Sequence, residues 1–163
     1  MTKVTITLPA AGPLHALEIW SNTMAVTERF MAEMGFGLPR LGTSGGTDAL
    51  RLIRVEPCVW LVEGDPTALT TILGGDGTIT AIGGGIVRIR LSGSGWRSLL
   101  MEGGMFDAES SAFAPGCIAA TLIDHVAVRL HVISADACDV YVPASFSAGL
   151  LHFWRQALET LTE

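Results

Sequence analysis

Ser92-Gly93-Ser94-Gly95, between an alternating strand and a helix, is the stretch whose residue types most resemble a ligand cradle. Glycine-rich turns of this kind bind phosphate because backbone N–H groups and a helix N-terminus point at the anion. The spacing fails for both common forms. A Walker loop needs glycine, four residues, then Gly-Lys-Ser/Thr, and the only lysine of the chain is Lys3. The dinucleotide fingerprint needs a third glycine where Ser98 stands. Ser92 therefore reads as a helix N-cap, and the glycines as a tight entry to that helix.

Other chemistry is sparse. A nucleophile elbow requires Gly-x-Ser-x-Gly, and "SGSGW" lacks the flanking spacing. Of the four histidines, His15 falls at a strand edge and His125 in a hairpin turn, His131 lies beside Arg129 on a polar strand face, and His152 on the solvent face of a helix. Each reads as an ordinary surface or turn histidine. Asp107 and Glu109 sit with Ser110 and Ser111 in a loop, where such polarity is normal. Arg88 and Arg90, joined by Arg51 and Arg54 from another strand, would line either an anionic contact or a solvated sheet face, and the second is favoured. Cys58, Cys117 and Cys138 are isolated, with no Cys-x-x-Cys pair, so neither a disulfide framework nor a zinc cluster is expected. No catalytic, cofactor-binding or metal-binding residue is assigned.

The elements that would carry these residues follow from periodicity. "HALEIW" (15–20) reads as a strand, and Ser21, Asn22 or Thr23 caps the helix after it. On that helix Val26, Phe30, Met31 and Met34 share one arc, opposite Glu28, Arg29 and Glu33. The segment 35–48, rich in Gly and Pro, is a loop. Strands follow at 49–56 and 58–64, the latter with an apolar run (58–62) that suits burial on both faces. Asp65-Pro66 opens a short helix, and "GTITAIGG" is a further strand. The second half repeats the rhythm with "VRIRLS", the helix bearing Trp96, Leu99 and Leu100, and the strands "CIAATLID", "VAVRLHVI" and "CDVYVP". The closing helix places Phe146, Leu150, Phe153, Trp154, Ala157, Leu158 and Leu161 on one face. Two successive split βαβ patterns predict an α+β protein of two ferredoxin-like halves, with helices on mostly antiparallel sheets. The expected organisation is one domain, 1–163, with halves 13–84 and 85–163.

Composition agrees with a packed domain. Of 163 residues, 49% are apolar and only 16% charged, which supplies a core and excludes disorder. The mean hydropathy of +0.46 is high, and reflects either a well-filled core or apolar surface buried against a partner chain. No apolar run reads as a membrane span. The net charge of −6 and dispersed arginines exclude a nucleic-acid footprint. The first residues lack the layout of a secretory signal, and a cytoplasmic location is expected.

Taken together, "RIRLSGSGWRSLL", "AFAPG" (112–116) and the strand-helix "DVYVPASFSAGLLHFW" resemble the gamma subunits of heterotetrameric sarcosine oxidases. More distantly they resemble the folate-binding aminomethyltransferase (glycine cleavage T-protein) modules. The likeness is best over residues 48–160, anchored also by Trp60-Leu61-Val62. It implies a subunit without catalytic residues in a complex that oxidatively demethylates sarcosine or a related N-methyl amine. The larger subunits would hold FAD, FMN, NAD and tetrahydrofolate, a small one zinc, and this chain no cofactor. Its partners would be those flavin- and folate-binding subunits, with no nucleic acid and no membrane. A stand-alone folate- or small-ligand-binding protein on the same scaffold is the alternative, and an aminomethyl-transferring enzyme ranks third.

Overall fold

The computed structural model describes residues 3–10 and 12–161, with Leu161 described by its backbone alone. The chain is α+β, with two antiparallel five-stranded sheets and four helices among the described residues. It divides into two compact units. The segment up to Ala10 joins the chain from Gly84 onward in one, the flanking unit; the stretch between them, to Gly83, forms the inserted unit.

The chain opens with β1 (Thr5–Thr7), which belongs to the flanking unit. The inserted unit runs β2 (Leu14–Ile19), α1 (Thr23–Met34), β3 (Ser44–Gly46), β4 (Leu50–Glu56), β5 (Val59–Gly64), α2 (Thr67–Leu73) and β6 (Gly77–Ala81). Its sheet order is β3-β4-β5-β2-β6. Without the edge strand β3, that is the interleaved order of a split βαβ pair, in which β5 slots between β2 and β4. Val26 and Phe30 of α1, and Leu69, Ile72 and Leu73 of α2, pack on Leu17, Ile19, Leu52, Trp60 and Val62. Trp60, Leu61 and Val62 are all buried, as the apolar run requires, whereas Cys58 is exposed in the turn before the strand.

The helix entries are held by side chains. Asn22 takes the N-cap position of α1 but does not cap it; its amide donates instead to Asp76 Oδ1 at 2.8 Å. The N-cap position of α2 is Pro66, not the acid, and no side chain caps the helix; Asp65, one residue earlier, accepts from the Thr67 N–H at 3.0 Å. β3 lies inside the segment expected to be loop; it is three residues long and carries two glycines, so no alternation marks it.

The flanking unit continues with β7 (Ile86–Ser92), α3 (Trp96–Met101), β8 (Ile118–Ile123), β9 (Val126–Ser134), β10 (Ala137–Pro143) and α4 (Ala144–Leu161). Its sheet order is β1-β7-β10-β9-β8. Here β1 fills the place of the last strand of a split βαβ pair, and β8 is an added edge. β8 and β9 are joined by Asp124-His125, both at positive φ (46° and 64°), the two-residue turn that matches strand twist. Trp96, Leu99 and Leu100 of α3, with Leu150 and Trp154 of α4, pack on Ile89, Leu91, Leu130, Val132, Val140 and Val142. Two expectations are corrected. Ser92 is the last residue of β7 and caps nothing, the N-cap position of α3 being Gly95. Phe146 is 55% exposed, because the first turn of α4 precedes the part that packs on the sheet. The side chain of Leu161 lies outside the described residues.

Candidate functional site

Alternation on the strands of the flanking unit divides its sheet into an apolar face under the helices and a polar face opposite. Ile89 and Leu91, Cys138 and Val140, and Leu130 and Val132 belong to the first. Register places Arg90 of β7 opposite Asp139 of β10, and Asp139 opposite His131 of β9. One step along, Arg88, Tyr141 and Arg129 make a second row. Arg90 donates from Nε and Nη2 to the two carboxylate oxygens of Asp139, at 2.6 and 2.8 Å. Asp139 is fully buried, and His131 and Tyr141 are each only 3% exposed.

A bidentate arginine–carboxylate pair is short, planar and charge-neutral. Both oxygens of Asp139 accept hydrogen bonds from Arg90. The row fixes the register of three strands and sets the polarity of their outer face.

The glycine stretch holds something different from a phosphate. Gly93 has φ +103°, and a Cβ there would run into the Lys3 carbonyl oxygen. The Gly95 N–H donates to that same oxygen at 3.4 Å, and the Lys3 N–H donates to Ser94 Oγ at 3.4 Å. The cradle is filled by the chain's own Lys3, two residues before β1.

The remaining predicted residues are dispersed. His125 lies in its turn, and His152 is exposed on α4, as expected. His15 is half-buried on β2. His131 is not a surface histidine: alternation identifies its face, but the residue is buried. Arg51 and Arg54 lie on β4, in the other sheet from Arg88 and Arg90. The Arg54 guanidinium sits 4.7 Å over the Trp60 ring and donates to the Pro57 carbonyl. Asp107 Oδ1 accepts from the Glu109 N–H at 2.9 Å, a local loop turn. Cys58, Cys117 and Cys138 are free thiols. Burial pushes the Cys138 thiol far above its ordinary pKa, and the nearby Asp139 adds to this; burial also raises Cys117. Among the described residues no three His, Cys, Asp or Glu side chains are grouped to hold a metal ion.

Two clusters were not visible in the sequence. Arg97 lies 4.3 Å over Trp96 and 5.6 Å from the centre of Phe113, and donates to the Ala108 and Phe113 carbonyls. It thereby fixes the long loop before β8. Asp76 accepts from Ser21 Oγ (2.9 Å), Asn22 Nδ2 (2.8 Å) and Arg29 Nη2 (2.8 Å), which together hold its carboxyl below the ordinary range. A lone Asp-Gly dipeptide signals a turn, and nothing local to it announces three partners some fifty residues away.

Apolar surface is exposed in both units. In the inserted unit Trp20 is 61% and Met24 78% exposed, and Met31 lies two turns along the same face of α1 as Met24. In the flanking unit Met105 is 78% exposed. No helix among the described residues is long and apolar enough to cross a membrane.

No family model and no curated protein matches the sequence. Solved structures do. The fold is shared with a chain of the heterotetrameric sarcosine oxidase from Corynebacterium sp. U-96, solved in complex with pyrrole 2-carboxylate. The TM-score is 0.84 at 19% identity, over 98% of this chain and 86% of that one. It is also shared with the glycine cleavage system aminomethyltransferase T from Bartonella henselae, at TM-score 0.70 and 17% identity, over 94% of this chain but only 45% of that one. The chain thus has the α+β fold common to a sarcosine oxidase subunit and to part of an aminomethyltransferase.

Proposed function

We propose that this chain is a non-catalytic, gamma-type subunit of a sarcosine oxidase-like flavoenzyme complex of the cytoplasm. In this reading the complex oxidatively demethylates sarcosine or a related N-methyl amine, and the chain stabilises a larger subunit. FAD, FMN, NAD and tetrahydrofolate are held by the partner subunits, and none by this chain. The observation that carries the reading is the end-to-end likeness to one chain of a heterotetramer, over 98% of this chain and 86% of that one. The exposed Trp20, Met24 and Met105 support a chain that works against partners.

The test is affinity purification of the tagged chain from its native host. A larger polypeptide bearing flavin absorbance should co-elute in fixed stoichiometry. Recovery of the chain without any flavin-bearing partner would sink the proposal. The likeness to the aminomethyltransferase favours a second reading, a stand-alone binder of tetrahydrofolate or a related small ligand. Calorimetric titration of the isolated chain with tetrahydrofolate separates the two: the subunit reading expects no heat of binding, and saturable micromolar binding would transfer the weight to the second.

A further inference from the structure

β7 has β10 on one side and β1 on the other. Its residues Ile89 and Leu91 have no exposed surface, so its outer edge lies directly against the core of the flanking unit. An uncovered edge there would present unpaired N–H and C=O groups beside apolar side chains, the usual starting point for pairing with another chain. The cover is only three residues long, with Thr5 opposite Ser92, Ile6 opposite Leu91 and Thr7 opposite Arg90.

That short strand is seated in detail. Val4 and Ile6 pack against the core, while Lys3, Thr5 and Thr7 face solvent. Lys3 passes over Gly93 at a distance that only glycine permits, and Ser92 Oγ reaches the Thr5 carbonyl at 3.5 Å. Main-chain pairing with slots for alternate side chains is how a sheet edge takes up an extended peptide. Beyond Thr7 the chain leaves through Leu8-Pro9-Ala10 and Gly12-Pro13 to enter β2 of the inserted unit. Six residues, 8–13, separate β1 from β2, and a short connection invites exchange of the element it tethers.

We infer that the outer edge of β7 is a strand-acceptor site, and that β1 of a second copy of this chain fits it. The product is a strand-exchanged dimer in which residues 3–7 of each copy pair with residues 90–95 of the other. Closed monomer and exchanged dimer contain the same bonds, so tether entropy decides between them. A short tether gives about millimolar effective concentration, and the dimer accumulates when the chain is concentrated or refolded near that level.

Two single-cysteine changes test this, each made in a full chain whose exposed Cys58 is replaced by serine. Thr5→Cys chains and Ser92→Cys chains are refolded together at high concentration, oxidised and digested. A peptide pair joined between residues 5 and 92 is expected, and in this mixture it forms only between copies. The double variant Thr5→Cys/Ser92→Cys, oxidised when dilute, should form the same link within one chain, which shows that the site accepts it. Light scattering on the unmodified chain, refolded at the same concentration, should show a species of twice 17.2 kDa. A mixture without the link, when the dilute double variant has it, overturns the inference. So does a refolded chain that remains monomeric throughout.

Discussion

Arg90 grips both carboxylate oxygens of Asp139, one with Nε at 2.6 Å and one with Nη2 at 2.8 Å, across a strand pair in which Asp139 has no exposed surface. Removing the cation strands a buried charge, which is costlier than removing the pair. Arg90→Met should therefore destabilise the chain by about 3 kcal/mol, read from urea unfolding. The double variant Arg90→Met/Asp139→Leu should recover at least ~1 kcal/mol of that loss. Strictly additive losses would mean that the two side chains do not act as a unit.

The three donors on Asp76 give a pH dependence of definite sign. Hydrogen bonds from Arg29, Asn22 and Ser21 lower its pKa below the ordinary 3.8. A group depressed in the folded state adds stability that is fully present above its unfolded pKa and is lost as pH falls through the folded one. Asp76→Asn should thus be destabilised at neutral pH, and the gap to the parent should narrow progressively below pH 3.8. A gap that stays constant down to complete acid unfolding would show that the charge of Asp76 contributes nothing.

Alternation and helical periodicity revealed most faces of the elements because those signals are local, although Met31 and Phe146, placed on apolar helix faces, are exposed. Ile89 and Leu91 point to the core and Arg88 and Arg90 away from it, and Val26 and Phe30 line the buried side of α1. What stayed hidden depends on partners distant in the chain. β1 lies at residues 5–7, upstream of the first strand expected from alternation, and is too short for a pattern. It becomes a strand only because β7, some 85 residues on, offers an edge. Asp139 is one acid in an apolar run until register brings Arg90 beside it. The glycines of Ser92–Gly95 raised the question of a ligand, and their true tenant, Lys3, could not be named without that same register.

Gly93 is the point where that long-range pairing is most exposed to mutation. Its φ of +103° is strained for any side chain, and the Lys3 carbonyl occupies the space a methyl group would need. Gly93→Ala should cost about 2 kcal/mol and should free β1, so that amides of residues 4–7 lose hydrogen-exchange protection first. Gly84→Ala is the control, because Gly84 has no atom within 4 Å of the added carbon and no positive φ. Equal losses at the two positions would remove the claim that β1 is what Gly93 accommodates.

The three cysteines should report their surroundings in separate kinetic phases. Cys58 is exposed in the turn before β5, Cys117 is half-buried with its pKa raised by burial, and Cys138 lies in the core on β10 beside Asp139. The thiolate is the form that attacks thiol reagents, so a raised pKa and poor access slow the reaction together. One thiol per chain should react promptly at neutral pH, a second more slowly, and the third only at the rate at which the flanking unit opens. Replacing Cys58 with serine should abolish the fast phase alone. If low denaturant, which raises the population of the open state, left the slowest phase unchanged, Cys138 would not need opening to react, and its place inside a closed core would have to be abandoned.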